Sequence, residues 1–252
     1  MEKFFSVNEQ GVSIHCKIYC EDMRSIKRVV LFGSGFGGHK DTRAASRLAA
    51  RLLKRNKSIA LIAFDWPCHG DDASPQLRLE VCDHYLSVLL GYIRKRFRTE
   101  ELYGTATSFG GYLYLKYIYE HGSPFKKTVL RCPAVNMYES LTSRIITSDE
   151  IETIEKGRPA QVGFDRKIRL TRDFLTDLQK ADITTWDFSP YAADITIIHG
   201  DKDEIIGHDT DWFFAEENGI TFHTVENADH RFTDPVKMDL AIKLIVEGLG
   251  LN

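Results

Sequence analysis

The stretch Gly104–Leu113, GTATSFGGYL, places Ser108 between a strand pattern and a helix pattern. ELYGTAT before the serine is typical of a buried strand, and FGGYLYLKYIYE after it starts an amphipathic helix. A tight turn at this junction strains the backbone, exposes the hydroxyl and requires small residues two positions before and after the serine, here Ala106 and Gly110. The usual G-x-S-x-G reads A-T-S-F-G. Taken alone, the stretch therefore leaves open a glycine-rich helix start that binds phosphate or nothing.

Composition limits the kinds of function that the chain can have. A chain of 252 residues with a net charge of −3 lacks the basic excess that nucleic-acid binding requires. No stretch approaches the roughly 18 apolar residues of a membrane helix. The first residues, MEKFFSVNEQ, lack the apolar core of a signal peptide, so the expected location is cytoplasmic. The five cysteines form no CxxC pair and are interpreted as reduced packing residues, with no metal site and no cofactor expected.

Short β-branched runs alternate with longer amphipathic runs along the chain. This pattern predicts an α/β fold with an eight-stranded, mostly parallel sheet and helices on both faces. The predicted strands are KFFSV, VSIHCKIYC, RVVLFGS, SIALIAFD, ELYGTAT, KTVLRCPA, DITIIHG and ITFHTVEN. NEQG between the first two strands indicates a hairpin, so the sheet should begin antiparallel. Five helices are predicted, over residues 41–55, 77–97, 109–120, 208–218 and 234–249.

One connection is far longer than the few residues that usually join a helix to a strand. It lies between Asn136 and Asp194, after the sixth predicted strand, and it is rich in charged residues. We expect residues 137–193 to be a lid inserted over the carboxyl edge of the sheet. The whole chain, 1–252, would then be a single domain.

Two later loops carry the groups that a serine nucleophile needs. A serine hydroxyl reacts only when a base removes its proton, and a third group must orient that base. IIHGDKDEII supplies Asp201 and Asp203 after the seventh predicted strand, and VENADHRF supplies His230 after the eighth. We predict the triad Ser108, Asp203 and His230. Asp201 stays open as the acid, and Asp203 could instead cap the following helix.

These motifs together resemble the α/β-hydrolase superfamily, whose acid commonly sits in an H-G-x-x-D loop and whose histidine follows the last strand. His199, Gly200 and Asp203 match the first pattern, and FDWPCHGDD resembles the segment after the fourth strand. FGSGFGGHKD resembles the loop that supplies one oxyanion-hole N–H, with Ser34 where histidine is common. The resemblance implies that the backbone N–H groups of Phe36 and Phe109 bind the oxyanion.

Several features of the sequence are similar to those of bacterial feruloyl and cinnamoyl esterases and of monoglyceride-lipase-like relatives. They include GHKD, RCPA, the insertion and ADHRF. The resemblance implies a serine carboxylesterase acting on small-molecule esters, including hydroxycinnamoyl esters. The residues expected to bind substrate are Gly35, Tyr138, Gln161 and Trp186.

Other functions remain open at this stage. The same triad would serve a thioesterase or an enzyme like a serine aminopeptidase, and the fold could also be kept by a non-catalytic binding protein. The sequence leaves open whether the chain forms a homodimer.

Overall fold

The computed structural model describes residues 1–72, 74, 76–99, 101–164 and 166–252. Within those residues the strands in chain order are β1 (Glu2–Glu9), β2 (Val12–Tyr19), β3 (Arg28–Gly33), β4 (Ile59–Phe64), β5 (Leu102–Thr107), β6 (Thr128–Arg131), β7 (Ala160–Val162), β8 (Ile168–Leu170), β9 (Ile195–Gly200) and β10 (Thr221–Val225). The helices are α1 (Arg43–Arg55), α2 (Leu79–Phe97), α3 (Phe109–His121), α4 (Met137–Ser140), α5 (Ser148–Glu155), α6 (Arg172–Lys180), α7 (His208–Asn218) and α8 (Pro235–Gly248).

Eight of these strands form one sheet in the order β1-β2-β4-β3-β5-β6-β9-β10. The pairs β1/β2 and β2/β4 are antiparallel, and the remaining pairs are parallel. The predicted eight-stranded, mostly parallel sheet with an antiparallel start is confirmed. The carboxyl ends of the parallel strands meet at one edge, where an open α/β sheet binds its ligands.

Helices cover both faces of the sheet, and this explains the sequence of the central strands. Every residue of β4, IALIAF, is buried, because its side chains point alternately into two separate cores. One core includes residues of α1 and α8. The other includes residues of α2, α3 and α7.

The predicted helices are all present, with small differences at their ends. The prediction began α1 at Asp41, but the helix begins at Arg43 because the Thr42 side chain caps it by accepting from Ala45 N at 3.2 Å. Asp234 caps α8 in the same way, accepting from Val236 N at 2.7 Å. A capping side chain stands outside the helix, so a periodic pattern that includes it overestimates the helix length.

The connection between β6 and β9 contains secondary structure that the sequence analysis did not assign. It comprises α4 with a π-helical turn (Leu141–Ile145), α5, the antiparallel hairpin β7/β8, α6 and two 3-10 turns (Ile183–Thr185 and Ser189–Asp194). Its buried apolar side chains join the core on the α2/α3 face. The insertion therefore packs on the core of the sheet.

Gly110, in the first turn of α3, lies where this helix closely approaches the end of β3. A Cβ at this position would lie 2.5 Å from Ser34 O and 2.8 Å from Gly33 O. We expect Gly110→Ala to lower the free energy of unfolding by about 1–3 kcal/mol, because the backbone must move to admit the methyl group. Urea denaturation measures the change.

Gly91 in α2 is the matched control, because a Cβ there would meet nothing within 4 Å. Gly91→Ala should raise the free energy of unfolding by about 0.5–1 kcal/mol through helix propensity. Equal effects of the two substitutions would contradict the close approach of α3 to β3.

Candidate active site

Ser108 lies on a sharp turn between β5 and α3. Its backbone has φ +52° and ψ −123°, a conformation that costs a non-glycine residue about 1–3 kcal/mol. Hydrogen bonds hold the turn: Ser108 N donates to Arg131 O at 2.9 Å, and Ser108 O accepts from Gly111 N at 2.7 Å. The structure thus places the predicted nucleophile at the carboxyl edge of the sheet.

The alanine that replaces the first glycine of the motif fits because its neighbour is a glycine. Ala106 lies opposite Gly33 on β3, and a Cβ on Gly33 would come within 3.2 Å of the Ala106 methyl group. The small residue required between the two strands is therefore on β3. This explains how A-T-S-F-G forms the turn.

His230 and Asp203 form a direct hydrogen bond, with His230 Nδ1 2.7 Å from Asp203 Oδ2. Asp203 Oδ1 accepts from the backbone N–H groups of Ile205 at 2.9 Å and Ile206 at 2.7 Å. Burial alone would raise the pKa of Asp203, but the bonds from His230 and Ile206 outweigh it and the pKa lies below its ordinary value. This carboxylate is charged and fixed in place.

The alternative acid, Asp201, points elsewhere. Its Oδ1 accepts from Asn227 N at 2.5 Å, so it fastens the loop after β9 to the loop after β10. Asp203 does not cap α7, because the residue that precedes the first turn of that helix is Gly207. Of the two aspartates, Asp203 has the geometry to orient His230.

A second buried histidine lies behind the Asp203 carboxylate. His199 Nε2 is 3.3 Å from Asp211 Oδ2 and 3.7 Å from Asp203 Oδ2, and all three side chains are enclosed. Burial lowers the pKa of His199, but the neighbouring Asp211 and Asp203 carboxylates outweigh it and raise the pKa above its ordinary value. The sequence analysis treated His199 only as part of a motif and missed Asp211, which lies on α7 with no sequence signal for its partner.

The loop after β3 lies directly against the nucleophile. A Cβ on Gly35 would come within 3.2 Å of Ser108 Cβ and 3.8 Å of Ser108 Oγ. Within the described parts of the chain, neither Phe36 N nor Phe109 N donates to a protein acceptor. The N–H of Phe109 is unpaired because it opens helix α3. Both groups can therefore donate to an oxygen held next to Ser108.

Buried polar contacts hold this loop in position. Asp65, at the end of β4, accepts from Lys40 N at 2.7 Å and from Lys40 Nζ at 2.8 Å. Trp66 Nε1 donates to Ser34 O at 2.9 Å. His69 completes the segment as a neutral core residue, because burial lowers its pKa to about 4. The FDWPCHGDD segment thus holds the loop after β3 in position.

A cavity of about 700 Å³ opens over this edge of the sheet and contains Ser108 and His230 in its wall. Its wall includes Ile145, Phe164, Ile205, Arg131, residues of α1 and the residues that follow His230. Further lining residues include Phe32, Gly35, Phe36, Arg43, Arg47, Arg166, Arg231, Phe232 and Met238. Both substrate and water could reach the serine from this space.

The structure corrects three of the four expected substrate-binding residues. Gly35 lines the cavity, but Tyr138, Gln161 and Trp186 do not. Tyr138 borders a second cavity, Gln161 is exposed on β7, and Trp186 stacks on Tyr119 with 4.5 Å between ring centroids. Which aromatic residue of an insertion faces the sheet depends on how the insertion folds, and residue type alone does not indicate this.

Cys132 lies near the triad and offers a third potential metal ligand. Its Sγ lies within 4.8 Å of a carboxylate oxygen of Asp203 and of a ring nitrogen of His230. Burial raises the pKa of the Cys132 thiol well above its ordinary value, so the thiol stays protonated. A protonated thiol is a poor metal ligand, and the Asp203 oxygens already accept three hydrogen bonds. These residues fit a proton-transfer site better than a metal site.

An eight-stranded sheet of this order, with a serine on the sharp turn after β5 and an aspartate–histidine pair on the loops after β9 and β10, has the α/β-hydrolase fold. The family model described as "Serine aminopeptidase, S33" matches residues 24–155, just over half of the chain. The chain belongs to this family and is a serine hydrolase. No curated protein matches it.

Solved structures of low sequence identity share the fold across the whole chain. Est1E from Butyrivibrio proteoclasticus with bound ferulic acid is 16% identical, with a TM-score of 0.75, covering 98% of this chain and 99% of that one. Alpha/beta hydrolase domain-containing protein 10 from mouse is 15% identical, with a TM-score of 0.72 and 97% of each chain covered. The monoacylglycerol lipase of Paleococcus ferrophilus is 14% identical, with a TM-score of 0.65, covering 96% of this chain and 100% of that one. Among the described residues, no helix has both the length and the apolar character needed to span a bilayer.

The raised pKa of His199 gives a testable dependence of stability on pH. A histidine whose pKa is raised by folding stabilises the folded state below its unfolded pKa of about 6.5, and this contribution is lost as the pH rises through the folded-state pKa. In His199→Gln the amide has no proton to lose. The difference in unfolding free energy between pH 6 and pH 9 should therefore be smaller than in the wild type.

Urea denaturation at both pH values measures this difference. His223→Gln, which changes an exposed histidine on β10, is the control and should keep the wild-type difference. If His199→Gln kept it as well, the Asp211 and Asp203 carboxylates would not be holding a proton on His199.

Proposed function

We propose that the chain is a serine carboxylesterase that hydrolyses small-molecule esters through an acyl-enzyme intermediate on Ser108. The observation that carries this proposal is the 2.7 Å contact between Asp203 and His230 at the edge where Ser108 and His230 share one cavity. Nucleophile, orienting acid and base follow one another along the chain as Ser108, Asp203 and His230, the order that this fold requires.

In the first half of the reaction, His230 Nε2 takes the proton of Ser108 Oγ as the oxygen attacks the ester carbonyl carbon. The negative charge that develops on the carbonyl oxygen is stabilised by the N–H groups of Phe36 and Phe109. When the carbon–oxygen bond breaks, His230 gives its proton to the leaving alcohol. The acyl group remains on Ser108.

In the second half, His230 removes a proton from a water molecule that attacks the acyl carbon. The carboxylic acid then leaves and the proton returns to Ser108 Oγ. Asp203 holds His230 with its Nδ1 protonated, and it stabilises the imidazolium that forms in both halves. The lowered pKa of Asp203 keeps this carboxylate ionised throughout the pH range in which His230 acts.

The charges around the cavity favour esters over aminopeptidase substrates. An aminopeptidase binds an α-ammonium group and needs an anionic residue for it. Among the described residues of the cavity wall the carboxylate is Asp41, which already contacts Lys17 Nζ at 2.6 Å. Arginines occupy five positions of the same wall, Arg43, Arg47, Arg131, Arg166 and Arg231.

The first test of this function is Ser108→Ala. The variant should fold, fail to react with a fluorophosphonate probe and lose kcat on short esters by a factor on the order of 10⁶, because the covalent step has no nucleophile. Ser6→Ala on the edge strand β1 is the control and should keep wild-type labelling and turnover. Near wild-type hydrolysis by Ser108→Ala would overturn the mechanism.

We also infer that the acyl group is hydroxycinnamoyl and that residues 137–193 cover it. Phe164 of the insertion and Phe36 of the loop after β3 both line the cavity. Aromatic contacts of this kind can hold a planar ring. The fold likeness to an esterase whose structure contains ferulic acid supports the same acyl class.

Phe164→Ala tests this specificity. A ring contact contributes about 0.5–1.5 kcal/mol beyond burial, so the kcat/KM preference for methyl ferulate over an alkyl methyl ester of similar volume should fall about 2- to 10-fold. Phe213→Ala on α7 is the control, because Phe213 is exposed and lies outside the cavity wall. Equal kcat/KM values for aryl and alkyl esters in the wild type would leave a generalist carboxylesterase.

A further inference from the structure

Arg131 is a buried cation in the wall of the cavity that contains Ser108. It is the last residue of β6, and its side chain is on the α1/α8 face of the sheet with only 8% of the residue exposed. Arg131 lies opposite Thr107, the residue before the nucleophile, and its carbonyl accepts from Ser108 N. Neighbouring strands are about 4.8 Å apart, so the two side chains start from adjacent backbone positions.

The neighbours of Arg131 do not neutralise its charge. Its guanidinium lies 4.9 Å from the centroid of the Phe232 ring, and Nη1 is 3.6 Å from Met238 Sδ. In the described part of the chain no carboxylate comes within 4 Å of it. Burial lowers the pKa of Arg131, with Cys132 and the more distant carboxylates of Asp203 and Asp229 acting in the opposite direction. Burying a cation in this way costs free energy unless a charged partner compensates it.

A purely structural role as a counter-charge is poorly supported by these contacts. Asp203 already accepts from His230 and from two backbone N–H groups. Asp229 already accepts from Thr233, through its backbone N at 2.8 Å and its hydroxyl at 2.8 Å. Neither carboxylate needs Arg131. Arg131 also lines the cavity that contains Ser108 and His230.

We propose that Arg131 binds a carboxylate carried by the ester substrate, so that the enzyme prefers anionic esters over neutral esters of the same shape. This inference rests on the function proposed above. A guanidinium binds a carboxylate through two parallel N–H···O bonds, which are stronger in a dry pocket than in water. One desolvated guanidinium matches one negative charge, which favours a carboxylate over a dianionic phosphate ester.

The other arginines of the wall contribute differently. Arg47 Nη2 contacts Asp239 at 2.5 Å, and Arg43 and Arg166 are exposed to solvent. Exposed charges raise the local concentration of anions and are weakened by salt. Arg131 is enclosed, so its contribution should persist at high ionic strength.

The test uses two substrate pairs that differ in one charge. The first pair is monomethyl glutarate and its neutral analogue methyl pentanoate, which compares the acyl sides. The second is the butyryl ester of glycolate and the butyryl ester of ethylene glycol, which compares the leaving groups. We expect the wild type to prefer the charged member in at least one pair. That kcat/KM ratio should fall about 10- to 100-fold in Arg131→Gln, mainly through KM, and by less in Arg131→Lys.

Arg51→Gln is the control for net charge. Arg51 is exposed on α1 and does not line the cavity, so this variant should keep the wild-type ratio. A structural role of Arg131 would instead change kcat equally for the charged and neutral members. No preference in either wild-type pair, or an unchanged ratio in Arg131→Gln, would overturn the proposal.

A binding measurement covers the case in which Arg131→Gln does not fold. In folded Ser108→Ala, the charged member of the preferred pair should raise Tm at 0.5 M NaCl, and the neutral member should not. The absence of a difference would overturn the carboxylate site. Ester hydrolysis that persisted in Ser108→Ala would instead overturn the catalytic role of Ser108, and the Tm comparison would still decide the role of Arg131.

Discussion

The contact between the first turn of α3 and the end of β3 is the constraint on which the site depends. Directly after the positive φ of Ser108, α3 starts against the carbonyl groups of Gly33 and Ser34, and this approach is possible because Gly110 has no Cβ. The same contact brings the loop after β3 against the serine. The turn that exposes the hydroxyl therefore also positions the N–H groups of Phe36 and Phe109, and a change at Gly110 would disturb both.

Several buried ionic groups around this turn hold the loops of the site in position. Asp65 fastens the loop after β3 through Lys40, and Asp203 fastens His230. Behind Asp203, His199 lies between the Asp203 and Asp211 carboxylates, which raise its pKa above the ordinary value. A proton on His199 lowers the pKa of Asp203, so this histidine helps to keep the orienting carboxylate ionised.

The sequence predicts the strands and the order of the catalytic loops well, because both depend on local signals. A strand buried on both faces must be continuously apolar, as β4 is, and a turn at Ser108 must have small neighbours. The choice between Asp201 and Asp203 could not be settled in this way, since both lie in one loop and only the fold shows which points at His230. The insertion was harder still: Tyr138 and Trp186 are as aromatic as Phe164, yet only the packing of α4, the β7/β8 hairpin and α6 on the sheet determines which of them reaches the cavity.

Arg131 shows why a residue inside a strand pattern can be overlooked. In KTVLRCPA the charged residue Arg131 looks like the polar end of a predicted strand. Sequence periodicity predicts the face of the sheet on which a side chain lies, but it does not predict which residues cover that face. Here the guanidinium contacts Phe232 and Met238, and Arg131 also lines the cavity. Phe164 belongs to the insertion and can change with it, whereas Arg131 belongs to the sheet and keeps a fixed position relative to Ser108. A charge held at a fixed position next to the nucleophile orients a substrate more strictly than a ring on an insertion. The sheet, as much as the insertion, can therefore set specificity in this fold.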